Sequence, residues 1–138
     1  MADFIQTNLF SHLITALYCG ILAVLFLQSG FDKVFNFKGN LEWLNGHFAG
    51  SLFSSAVPLL LGILLLLELL SGFTAALAIP AVLAGYGNGL AQVSAVLSLI
   101  SFLCLFTGQR IAKDYAGAAS LMPYITFVLA GLYIIRVL

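Results

Sequence analysis

Charge is what this sequence has least of. Five basic and five acidic side chains make up 7% of 138 residues, and 62% are hydrophobic, whereas soluble domains carry about 25% charged residues. Mean hydropathy is +1.14. A water-soluble monomer is excluded. The two signs cancel to a formal net charge of zero, which leaves no electrostatic footprint for nucleic acid. Cysteine is also scarce. Cys19 and Cys104 lie in separate apolar stretches, without a CxxC pair or a His/Cys cluster, so no metal site and no local redox motif are expected. Each thiol reads as a small buried apolar side chain. The two histidines, His12 and His47, fall at opposite ends of the predicted spans and cannot form a haem-ligating pair. The N-terminal stretch MADFIQTNLF has no basic n-region and does not read as a cleavable signal peptide.

What is present is apolar length. Runs at residues 12–34, 55–78, 88–107 and 116–138 each approach the roughly 20 residues needed to cross a bilayer. Backbone groups in lipid must be satisfied within their own segment, so these runs are helices. The predicted fold is an all-α integral membrane protein, an antiparallel four-transmembrane-helix bundle occupying residues 1–138 as a single domain. No room remains for a soluble catalytic domain.

The first and third connections share one face, side B, while the termini and the uncharged second connection share the other, side A. Side B holds Lys33, Lys38, Arg110 and Lys113, whereas side A holds only Arg136. The positive-inside rule then places loops 36–54 and 108–115 in the cytoplasm and the termini outside. In the longest connection, Leu41, Leu44, Phe48 and Leu52 recur at helical spacing. This fits an interfacial amphipathic turn or two, with an irregular headgroup loop as the alternative.

Inside the second span stands Glu68. An acid near mid-bilayer costs about 2.5 to 3.5 kcal/mol on insertion scales, and such residues mark functional sites by default. Two readings stand: an interhelical hydrogen bond that fixes helix rotation, or a proton relay or buried acid facing a ligand. Counting depth from the span midpoints leaves Lys33 and Arg136 each roughly 14 to 15 Å away. A direct ion pair is therefore not expected; Glu68 is expected to stand neutral and to donate to a neighbour's oxygen, with Ser94, Ser98 and Ser101 as the candidate acceptors.

At the side B boundary, Gln28 and Asp32 share one face of the first helix and Ser29 and Lys33 share another. After the third helix come Gln109, Arg110, Lys113, Asp114 and Tyr115. Snorkelling and helix capping account for such residues. Alternatively, Gln28, Asp32, Lys33, Gln109, Arg110, Lys113, Asp114 and Tyr115 form one ligand mouth for the polar head of a quinone or lipid.

The segments LQSGFDKVFNF, LLLGILLLLELLSGF and LFTGQRIAKDYAGAASLMPY together resemble the DoxX family of small bacterial membrane proteins, and the resemblance covers nearly the whole chain. Gly30, Lys33, Glu68, Gly72 and Gly117 are the family-like positions. The family takes its name from association with the DoxD and DoxA subunits of thiosulfate:quinone oxidoreductase, and relatives accompany membrane complexes that handle thiol or oxidative stress. The resemblance thus implies a multi-pass protein of the bacterial inner membrane, a subunit associated with a quinone- or thiol-linked oxidoreductase. The expected partners are other membrane protein subunits and lipid, with quinone as the one cofactor to consider. The alternatives are a non-catalytic accessory or assembly subunit, and a carrier for a small hydrophobic acid.

Overall fold

A computed structural model describes residues 2–50 and 55–137. Within them the chain is helical, with elements α1 (Ala2–Phe35), α2 (Phe37–His47), α3 (Val57–Leu83), α4 (Gly89–Ile111), α5 (Tyr115–Ser120) and α6 (Met122–Val137). Four stretches are long and apolar enough to cross a membrane: Leu9–Phe35, Val57–Leu83, Gly89–Ile111 and Tyr115–Val137. The chain is a small multi-pass membrane protein with an all-α four-helix bundle.

The helices outrun the apolar runs that announced them. α1 begins ten residues before residue 12, because hydropathy marks what lipid covers and not where backbone hydrogen bonds begin. α3 continues past Pro80 to Leu83; a proline removes one donor, and here only one further turn has to form beyond it. The fourth span is broken at Leu121. Pro123 has no N–H to offer the carbonyl of Ala119, and the chain tightens there through a Leu121 N–H to Ala118 carbonyl bond of 3.2 Å before the helix resumes. Of the two readings for the longest connection, α2 answers to the helical one. Its face toward the bundle carries Leu44 and Phe48 of the expected stripe, but Asn40, Trp43 and His47 in place of Leu41, and Leu52 lies outside the described residues.

α1 and α3 form the most extensive helix pair, and glycines set their register. A Cβ on Gly30 would come within 2.6 Å of the Leu69 side chain, and one on Gly72 within 2.9 Å of the Leu27 backbone nitrogen. Gly20 faces Ile79 in the same alignment. Small residues let membrane helices approach closely, where dispersion replaces the hydrophobic drive that lipid removes. α3 meets α4 through another small-residue seam: Ser71, Ala75 and Ala78 against Ala91, Ser94, Ala95, Ser98 and Ser101, all fully buried. Tyr18 ties α1 to α6: its hydroxyl donates to the Val128 carbonyl at 2.8 Å, and its ring lies where a Cβ on Gly131 would stand.

Candidate functional site

The one buried charged residue of the bundle among the described residues, Glu68, meets α1 toward side B. It is 2% exposed and meets the face of α1 that carries Ser29 and Lys33. Ser29 Oγ donates to Glu68 Oε1 at 3.2 Å, Lys33 Nζ donates to Ser29 Oγ at 2.8 Å, and Nζ lies 3.3 Å from Oε1. Nζ is also 3.0 Å from Oε2, but off the direction a hydrogen bond requires, so Oε2 has charge contact and no hydrogen-bond donor.

This ion pair corrects the depth count made from the sequence. Span midpoints are not what aligns two helices. With Gly30 beside Leu69 and Leu27 beside Gly72, Lys33 stands level with Leu66, two residues and about 3 Å of rise from Glu68. The remaining gap is within reach of a lysine stem turned inward. The serines of α4 do not take the role expected of them. Ser94 Oγ donates to the Ser71 carbonyl at 3.1 Å, Ser98 Oγ to the Ser94 carbonyl at 2.7 Å, and Ser101 Oγ to the Leu97 carbonyl at 2.9 Å. They satisfy themselves on backbone, and the carboxylate turns to α1.

Beside the pair, a cavity of about 290 Å³ opens between α2, the start of α3 and the end of α4. Its wall is mostly aliphatic, from Leu60, Leu61, Leu64 and Leu105, with Lys33, Asn40, His47 and Gln109 as the polar groups. His47 Nε2 is 2.6 Å from Gln109 Oε1 and 3.7 Å from Asp114 Oδ2. The imidazole is sandwiched: Trp43 stacks on it at 4.7 Å and 14°, and Phe48 meets it edge-on at 5.3 Å. Gly108 leaves room for the Phe48 ring, and Gly117 leaves room for Asp114 and Gln109, since a Cβ there would come within 2.5 Å of Oδ2. Asp114 caps α5 by accepting from Gly117 N–H at 2.9 Å.

Of the eight residues expected at a ligand mouth, Lys33 and Gln109 line this cavity, and Asp114 stands behind His47. The others point elsewhere. Gln28 and Asp32 are exposed, because they precede Ser29 and Lys33 by one position, a turn of about 100° on a helix. Arg110 lies over the Tyr115 ring at 4.6 Å, both exposed and off the cavity, and Lys113 is exposed at φ 62° in the turn between α4 and α5. His47 and Trp43 were missed as cavity residues. The signal was present, since Asn40, Trp43, Leu44 and His47 stand at i, i+3, i+4 and i+7 and share one helical face.

Cys19 is buried and Cys104 exposed, where burial of both was expected; both are free thiols, and Cys104 lines the cavity. Among the described residues no group of three or more His, Cys, Asp or Glu side chains is arranged to hold a metal ion. Compared with family models, curated proteins and solved structures, the chain matches none of them.

Proposed function

We propose that the chain is a quinone-binding subunit of a bacterial inner-membrane oxidoreductase of the DoxX kind, with side B in the cytoplasm. The observation that carries this reading is the side B cavity: largely aliphatic walls of ring-and-tail dimensions, with a few hydrogen-bonding side chains, Lys33, Asn40, Trp43, His47 and Gln109, set among them. Ligand sites combine an apolar enclosure with few, placed polar groups, and the head of a quinone asks for that combination. Bound there, a quinone would accept electrons supplied by a partner subunit, with protons from the protein.

The chain's own part is to bind and to hold protons. Gln109 Nε2 offers a hydrogen bond to a carbonyl, and His47, whose Nε2 N–H is held by Gln109 Oε1 at 2.6 Å, orients that amide, with the imidazole held flat by Trp43 and backed by Asp114. Lys33 connects the cavity to Ser29 and Glu68 through the hydrogen bonds given above, a buried store from which a proton can be passed to the cavity wall.

Trp43 is the only tryptophan and lines the cavity, so it reports binding directly. Titrating a short-tailed benzoquinone into the purified protein in nanodiscs should quench Trp43 fluorescence saturably, and His47→Ala should weaken the apparent affinity about tenfold, because the Gln109 amide that bonds the polar head loses the ring that orients it. Quenching that only follows the quinone content of the lipid defeats the reading.

The fourth span favours a second reading, an accessory or assembly subunit. Only 17% of its membrane window is buried, against 39% in the first, leaving a broad face for a neighbouring protein. A stoichiometric partner that copurifies, and keeps its activity with Lys33→Ala and Glu68→Gln variants, would support this reading over the first.

A further inference from the structure

Against Glu68 lies a second crevice, of about 170 Å³, between α1, α3, α4 and the bend that joins α5 to α6. Leu25, Phe26, Leu105 and Leu121 supply apolar walls, and Phe102 and Tyr124 supply rings. The rings are already in register with one another: Phe26 and Phe102 are 5.3 Å apart and tilted, and Phe102 and Tyr124 are 6.0 Å apart and nearly parallel. An engineered apolar cavity of about 150 Å³ stays dry and takes up benzene, so the crevice has the volume of a single aromatic ring.

Its polar lining is Ser29 and Glu68. Ser29 is committed, since its hydroxyl donates to Oε1 and accepts from Lys33. Glu68 Oε2 is buried and accepts no hydrogen bond. Leaving a buried acceptor unsatisfied is costly, and more so for a charged one. We propose that this crevice is a binding site for a small phenol-type ligand, its ring packed between Phe26, Phe102 and Tyr124 and its hydroxyl donating to the Glu68 carboxylate.

Charge selects a neutral donor over a cationic one. Lys33 already lies 3.0 Å from Oε2 and neutralises the carboxylate, so an ammonium ligand would set a second positive charge beside it in a medium of low dielectric. A hydroxyl supplies the missing hydrogen bond without that repulsion. Plain hydrocarbon fills the volume but leaves Oε2 as it stands. The crevice shares only Leu105 with the lining of the side B cavity, and its rings and the bend at Leu121 take no part in that cavity, so the two sites are tested separately.

The test uses 4-fluorophenol and fluorobenzene as fluorine-NMR probes, titrated against the intact protein in nanodiscs, with empty nanodiscs to subtract partitioning into lipid. Wild type should bind 4-fluorophenol saturably and at least tenfold more tightly than fluorobenzene. Leu121→Trp, which fills the crevice and leaves the ion pair alone, should abolish the saturable component. The double variant Lys33→Met with Glu68→Leu removes both charges together, and should bind the two probes alike. Three outcomes overturn the proposal: no saturable binding to wild type, equal affinity of wild type for the two probes, or a preference for phenol that survives in the double variant. The wild-type comparison needs no substitution, so a variant that fails to fold leaves the proposal decidable.

Discussion

The two ends of the bundle use their polar side chains differently. Towards side A, Tyr18 donates to the Val128 carbonyl, Asn88 Nδ2 to the Ile135 carbonyl at 3.0 Å, Gln92 Nε2 to Asn88 Oδ1 at 2.7 Å, and Arg136 to Gln92 Oε1 at 3.1 Å. Each of these bonds fastens a helix to another element or to the turn before it. Towards side B the bonds also join helices, but they leave a buried carboxylate oxygen without a hydrogen-bond donor, one cavity lined by Lys33 and another lined by Glu68. Polar groups that close on each other hold a membrane bundle together. Groups left with capacity beside open volume are where a ligand belongs.

The sharpest way to break this contrast is at Glu68. Glu68→Leu strands the Lys33 ammonium against apolar side chains, and removing one partner of a buried pair costs about 3 to 5 kcal/mol. Adding Lys33→Met should recover most of that loss, since a buried pair replaced whole by apolar residues is often neutral. Mixed-micelle unfolding followed by circular dichroism measures both. If the double variant is as unstable as the single, the pair holds the fold and is not a site-forming device.

Next in size comes Gly72→Ala. A Cβ 2.9 Å from the Leu27 backbone nitrogen forces α1 and α3 apart, and overpacking of this kind costs about 1 to 3 kcal/mol. The same separation should weaken quinone quenching of Trp43, because Lys33 shifts with α1. Unchanged quenching in a destabilised variant would show that the cavity does not depend on the helix register.

The smallest effect is expected at side A. Tyr18→Phe removes one interhelical hydrogen bond, worth about 0.6 kcal/mol in a membrane, and should leave Trp43 quenching at its wild-type midpoint. A larger change in binding than in stability would erase the distinction between the two ends.

Much of the architecture was legible in the sequence. Four apolar runs gave four spans, because lipid leaves the backbone no other way to satisfy its hydrogen bonds. Helix limits were less legible: polar residues at the start of α1 are helical without being apolar, and Pro123 breaks the last span inside an apolar run. The Lys33–Glu68 pair was hidden because hydropathy places a residue within its own span but says nothing of how two spans align. Gly20, Gly30 and Gly72 carried that alignment, and only their contacts with Ile79, Leu69 and Leu27 reveal it. His47 was hidden for a different reason. The apolar residues of the connection drew attention to a stripe, while the face turned to the cavity keeps Leu44 of that stripe and adds Asn40, Trp43 and His47.

The glycine register has a consequence for the membrane the protein lives in. α1 has 34 residues, about 51 Å of helix, in a bilayer whose hydrocarbon core is about 30 Å thick. Helices longer than the core adapt to thinner or thicker membranes by tilting, and independent helices would slide past one another as they did so. With backbone and side chain of α3 seated against Gly30, and Gly72 seated against Leu27, α1 and α3 tilt together as one body. Bilayer thickness can then raise or lower the mouth of the cavity relative to the headgroups while the distance between ammonium and carboxylate stays fixed.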